Sequence, residues 1–164
     1  MKKLTLIFWL AASFLSVQPA LADERPVAPG SIAALKNGIA SAPSEAPDVV
    51  KKAVWAANQI AGMPYKYGGG HGEFSDTGYD CSGAVSYVLG SLELIGSPMD
   101  SKQYLDWGEA GPGKWLTVYA RDGHVFLVIA GLRFDTTDRL NIGPGWREHE
   151  RAPDGFVARH PKGY

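Results

Sequence analysis

His124-Val125-Phe126-Leu127-Val128-Ile129-Ala130-Gly131-Leu132-Arg133-Phe134-Asp135-Thr136-Thr137 is an apolar run, a break and a return run. His124–Ile129 is β-branched and aromatic, which suits a packed, pleated strand. Ala130-Gly131 predicts a tight turn and Leu132–Thr136 the return strand. With a two-residue turn, Ile129 pairs with Leu132, Phe126 faces Asp135 and His124 faces Thr137. Alternation then puts His124, Phe126, Asp135 and Thr137 on one sheet face, with Asp135 diagonal to His124. A one-residue bulge at the turn brings Thr136 to that place instead.

Outward from this hairpin, Trp115–Tyr119 predicts a strand joined to it through the turn Arg121-Asp122-Gly123. Phe156-Val157-Ala158 predicts a closing strand. Upstream the period becomes helical. Val49, Val50, Ala53, Val54, Ala57, Ile60 and Ala61 line one face of a helix that Asp48 can cap and that Gly62 and Pro64 stop. Ala84, Val85, Val88, Leu89 and Leu92 do the same in Cys81–Leu94, with Asp80 or Ser82 near its start. Helices followed by an antiparallel sheet make an α+β domain. A glycine-rich loop, Pro64–Gly72, separates the helices.

The chain has 164 residues, 45% hydrophobic and 20% charged, with a formal net charge of −1. Such a composition excludes a disordered chain, a collagen repeat and a coiled coil, and it shows no basic surface for nucleic acid. Lys2-Lys3, the apolar run Leu4–Val17 and Ala20-Leu21-Ala22 match a secretory signal peptide, residues 1–22, cleaved after Ala22. A membrane-spanning helix needs roughly 20 apolar residues, so no membrane anchor is expected after cleavage, and the protein is expected to be exported, to a periplasm or outside the cell. Residues 23–47 are rich in Pro and Ala and read as a tether or strap, with Ile32, Leu35 and Ile39 allowing a helical turn or two. Residues 48–164 read as the working domain.

Cys81 is the single cysteine. An intrachain disulfide and a thiolate-rich zinc site are thereby excluded, and an exported free thiol needs a reason. Cys81 sits in Tyr79-Asp80-Cys81-Ser82-Gly83, at a predicted helix start, where unpaired N–H groups and the helix dipole favour an anion. Gly83 would keep that first turn thin enough for a substrate to approach. A cysteine nucleophile needs a base and a group that orients the base. His124, at the mouth of a strand after an Asp-Gly turn, is the best placed of four histidines. His71 sits in the glycine loop, and His149 and His160 sit among charges. A carboxylate at Asp135 would fix the His124 tautomer. Tyr67, Trp107, Trp115 and Trp146 are candidates for lining a groove for a sugar-peptide polymer, beside their plainer reading as core.

Gly62-Met63-Pro64-Tyr65-Lys66-Tyr67-Gly68-Gly69, then Tyr79-Asp80-Cys81-Ser82-Gly83, then Gly123-His124-Val125 in a strand, resembles the NlpC-type family of papain-like cysteine peptidases. The resemblance spans Asp48 to Thr137. It implies a papain-like α+β fold, with N-terminal helices packed on a small antiparallel sheet and the nucleophile at a helix N-terminus. It implies cleavage of amide bonds in bacterial cell-wall stem peptides, often between D-glutamate and a diamino acid. By position, Cys81 would attack the carbonyl, His124 would be the base, and Tyr65 would lie beside the thiolate. Asp80 and Ser82 would help bind the peptide's free amino end. No metal or cofactor is implied. The family often places a third polar residue, commonly histidine, on the strand after the base. Here Asp135 is the candidate, and a gapless match gives Thr136. Two other readings stay open: an amidase or acyltransferase with the same thiol chemistry, and a wall-binding module without catalysis.

Overall fold

The computed structural model describes residues 25–137, 143–147, 151 and 154–164. The apolar leader at 1–22 and His149 lie outside these residues. Two α-helices are present among them, α1 (Asp48–Ile60) and α2 (Cys81–Ser91), with a 3-10 turn at Gln103–Leu105. Three short strands come first, β1 (Val27–Ala28), β2 (Ala34–Lys36) and β3 (Ile39–Pro43). Six follow the helices: β4 (Glu109–Ala110), β5 (Leu116–Arg121), β6 (His124–Ile129), β7 (Leu132–Asp135), β8 (Gly145–Arg147) and β9 (Val157–His160). These six form one sheet, in the order β4-β9-β5-β6-β7-β8, with every neighbouring pair antiparallel. The α+β architecture is the one expected. No helix among the described residues is long and apolar enough to cross a membrane.

The β6–β7 hairpin has the register counted from a two-residue turn: Ile129 pairs with Leu132, Val128 with Arg133 and Leu127 with Phe134, with no bulge. Ala130 and Gly131 carry φ of 48° and 81°, the left-handed pair that matches the twist of the flanking strands. Both helices pack on this sheet. Val50, Val54, Val85, Leu89, Val125 and Leu127 are fully buried between them. α1 begins after Pro47, which offers no side-chain cap; Asp48 lies inside the first turn and pairs with Lys51 at 3.5 Å.

Residues 27–43 differ from the sequence reading. They form a three-stranded sheet, not a helical turn. The cause is Asn37-Gly38, whose φ values of 52° and 79° close a β2–β3 hairpin with Lys36 paired to Ile39. Asn-Gly is a strong local hairpin signal, and it overrides the helical spacing of Ile32, Leu35 and Ile39. The segment is bonded to the rest of the domain. Ala33 N donates to Ala130 O at 2.9 Å, and Trp55 Nε1 on α1 donates to Pro26 O at 3.3 Å.

Trp146 is a second correction. Only 6% exposed, it stacks edge-on to Phe134 at 5.0 Å between centroids, so it belongs to the core and lines no groove. Its indole N–H donates to Asn58 Oδ1 at 2.7 Å. Asn58 Oδ1 also accepts from Ala40 N at 3.0 Å, and its Nδ2 donates to Ala40 O at 2.8 Å. One amide on α1 thus joins β3 to β8. Asn58→Ala leaves three polar partners without a mate, so a loss of about 2 kcal/mol or more is expected in urea unfolding. Unchanged stability would contradict this staple.

Candidate active site

Cys81 is the first residue of α2 and is half-buried. Asp80 is the N-cap: its Oδ1 accepts from Gly83 N at 2.8 Å, satisfying an orphan donor of the first turn. Its Oδ2 accepts from Gly68 N at 3.0 Å, which ties the glycine loop to the helix start. Tyr65 is held by an isolated parallel bridge to Tyr79, with Lys66 N donating to Tyr79 O and Tyr79 N to Pro64 O. Two residues before Cys81, the chain is therefore clamped to the loop that carries Tyr65.

The sequence reading gives the room above Gly83 to a substrate. In the structure, backbone fills it. A Cβ on Gly83 would collide with the carbonyl oxygen of Gly69 and lie 3.1 Å from Gly70 Cα. The first turn is thin so that the loop can seat against it.

Cys81, Tyr65, Gly123, His124, Thr136 and Thr137 line a cavity of about 280 Å³. His124 opens β6 and is 7% exposed. Its Nε2 lies 3.0 Å from Asp135 Oδ1. A carboxylate only accepts, so Nε2 carries the hydrogen and Nδ1 is left as the basic nitrogen. Asp135 is the diagonal partner expected from the hairpin, and it is buried. Thr136 is not bonded to His124; its Oγ1 is buried with no hydrogen-bond partner. Thr137 supports Asp135 twice, donating from N at 3.0 Å and from Oγ1 at 2.9 Å.

Burial pulls the His124 imidazole down, but hydrogen bonds with Asp135 and then Cys81 outweigh it and push the pKa up to about 9. Burial raises Asp135, yet the bonds from His124 and Thr137 hold it at about 2. The Tyr65 phenol is raised, first by burial and then by Cys81 and Asp80, so it stays a donor. These shifts fix the sign of the pH dependence. His124 contributes stability that is complete below its ordinary 6.5 and is lost as pH rises through about 9. Asp135 contributes stability that is present above 3.8 and is lost as pH falls through about 2. Tm should therefore plateau between these windows and fall on both sides; a Tm that rises between pH 6.5 and 9 would contradict the pairing.

Other expected residues are elsewhere. Tyr67 is 91% exposed and does not line the cavity. Trp107 and Trp115 pack against the core. Ser82 is buried, and His71 Nε2 sits 3.0 Å from both Ser82 Oγ and Asp80 Oδ1. His71 is thus positioned, although a glycine loop promised no such order. Arg151, the last residue of Arg147-Glu148-His149-Glu150-Arg151, reaches the His124–Asp135 pair. Nothing local in the sequence marks it out.

No protein-family model matches the chain, and no curated protein matches it. Solved structures do. The peptidoglycan hydrolase RipB from Mycobacterium tuberculosis is similar with a TM-score of 0.52 and 21% identity, over 68% of this chain. The match spans 64% of the RipB chain. The P60 domain of antigen MAP1204 from M. avium subspecies paratuberculosis has a TM-score of 0.49 and 17% identity, over 68% of this chain and 94% of that one. At these identities the likeness is one of architecture: the chain has the fold of RipB.

Proposed function

We propose that this protein is an exported cysteine peptidase that hydrolyses amide bonds in peptidoglycan stem peptides. The observation that carries the reading is that Cys81, at a helix start, and His124, whose Nε2 is held by Asp135, line one cavity. The resemblance of the three motifs to NlpC-type peptidases and the shared fold with RipB supply the substrate class.

In this reading the Cys81 thiol passes its proton to His124 Nδ1, giving a thiolate and an imidazolium. The thiolate attacks the carbonyl carbon. The Cys81 N–H, at the first position of α2 where the helix itself supplies no partner, and the Tyr65 hydroxyl donate to the oxyanion. The imidazolium then protonates the leaving amine, the C–N bond breaks, and a thioester remains. Water, deprotonated by Nδ1, attacks the thioester; the carboxylic product leaves and the thiolate returns. Asp135 keeps the imidazole oriented through both steps. Asp80 and Ser82 are proposed to receive the peptide's free amino end, since an ammonium can take the place that the His71 ring holds between their oxygens. Tyr67 is proposed as a surface contact for the polymer.

The test is digestion of wall peptides of defined composition, with the bond between D-glutamate and a diamino acid as the first target. Products heavier by one water and a new free amine support hydrolysis. Transfer of the acyl group to an added amine supports an acyltransferase, and binding with no bond broken supports a wall-binding module. Either of these outcomes overturns the peptidase reading.

A further inference from the structure

Arg151 makes an unusual set of contacts with the His124–Asp135 pair. Its Nη1 lies 2.6 Å from Thr137 Oγ1, 3.2 Å from Asp135 Oδ2 and 3.3 Å from His124 Nε2. The guanidinium also packs on aromatic faces, 5.6 Å from the centroid of Phe126 and 5.2 Å from that of Phe156. The same two rings flank His124, Phe156 edge-on at 6.0 Å and Phe126 tilted at 6.3 Å. The side chain is a quarter exposed, whereas Asp135 is sealed.

The donor count decides what these contacts do. Asp135 Oδ1 is already taken by His124 Nε2, Thr137 N and Thr137 Oγ1. Arg151 supplies the nearer cation to Oδ2, with Arg133 Nη1 at 3.6 Å. The contact between Arg151 and Nε2 joins two donors, so it is no hydrogen bond. It sets a permanent positive charge beside the ring edge that must become positive when the thiol gives up its proton. Arg151 therefore has two effects of opposite kind. It braces Asp135 and Thr137, which aim the imidazole. It also offsets the Asp135 charge that stabilises imidazolium.

We propose that Arg151 is a positioning residue of this site, clamping Asp135 and Thr137 against His124 and limiting how strongly the carboxylate holds the proton on the imidazole. The proposal rests on His124 being the base. Without such a counter-charge, a buried carboxylate would keep the ring protonated too firmly for it to release its proton to a leaving amine and take another from water. Among the described residues, the other charged or titratable groups facing the ring are few. Cys81 comes from α2, with Tyr65 and then Asp80 beyond it. Arg133 lies behind Asp135, and Arg121 stacks on Phe156 at 4.7 Å. At the β5–β6 turn, Asp122 pairs with Lys102 in solvent.

The test reads the ring itself. In the full chain carrying Cys81→Ala, the His124 imidazole is titrated by NMR with Arg151 intact, with Arg151→Met and with Arg151→Lys. The midpoint should rise by about one pH unit or more in Arg151→Met, as expected for loss of a like charge within a few ångströms. Arg151→Lys should bring the midpoint most of the way back to the parent value. Arg151→Gln keeps donors for Asp135 without the charge, and it should rise as Arg151→Met does; it also serves if Arg151→Met fails to fold. An unmoved midpoint in a folded Met or Gln variant overturns the proposal, and so does a Lys variant that shifts as far as Met. The titration needs no substrate, so a failure to cleave wall peptides would retire the peptidase reading without moving this result.

Discussion

Replacing Cys81 with alanine should bring the release of wall peptides down to the uncatalysed background, a loss of about 10⁴-fold or more. Every bond-making step of the proposed reaction passes through the sulfur, and no second thiol exists in the chain. His124 and Asp135 would remain in place, since their pairing is set by the β6–β7 hairpin and not by Cys81. Alanine is also the best helix former, and the site is half-buried, so folding should change by less than about 1 kcal/mol. The pairing of these two results is what matters. A Cys81→Ala protein that melts normally but releases nothing supports the thiol mechanism. One that still cleaves would sink it. Cys81→Ser should be far less active than the parent, because a hydroxyl is a much weaker nucleophile than a thiol in a site whose spacing is set for the larger sulfur.

Gly83→Ala should cost about 3 kcal/mol in denaturant unfolding, against a gain of about 1 kcal/mol that helix propensity alone would give. The sign is the test. A Cβ at this position meets backbone on the opposing loop, the Gly69 carbonyl carbon at 2.9 Å and Gly70 Cα at 3.1 Å. Backbone cannot rotate away as a side chain can. Nor can the loop retreat freely. Gly69 N donates to Lys66 O at 2.8 Å, Gly70 N to Asp76 Oδ2 at 3.0 Å and Gly68 N to Asp80 Oδ2 at 3.0 Å. Gly69 is itself packed against the Gly78 carbonyl and could not take a Cβ either. Three chain segments therefore meet with no side chain between them, and that stack sets Cys81 relative to Tyr65. Displacing it by about an ångström should lower kcat roughly 10²-fold in whatever fraction stays folded. A variant as stable and as active as the parent would show that the loop yields.

The parts of this molecule that could be read from sequence are those governed by neighbours in the chain. The β6–β7 register followed from a two-residue turn and strict alternation, and with it the meeting of His124 and Asp135. The helix start at Cys81 followed from the apolar period of Ala84, Val85, Val88, Leu89 and Leu92, with Asp80 or Ser82 beside it. Asn37-Gly38 was equally local, and its turn chemistry outweighs the three-to-four spacing of the apolar residues around it. Trp146 and Arg151 were different. The indole is buried because Asn58, 88 residues earlier, accepts its N–H. Arg151 meets Asp135 from 16 residues further along the chain. Gly83 was read as space, and only the fold reveals which chain occupies that space.

The hairpin also has a kinetic consequence. His124 and Asp135 are joined through a two-residue turn, so bringing them together closes a very short loop. Joining His124 to Cys81 closes a loop of about 40 residues, which carries a larger entropic cost and waits on the docking of α2 against β6. His124 and Asp135 belong to the local, early contacts, while Cys81 reaches the hairpin among the last. In the proposed mechanism, a chain still folding therefore lacks the assembled Cys81–His124 pair, which forms only as the core closes, so that activity would itself report completed folding.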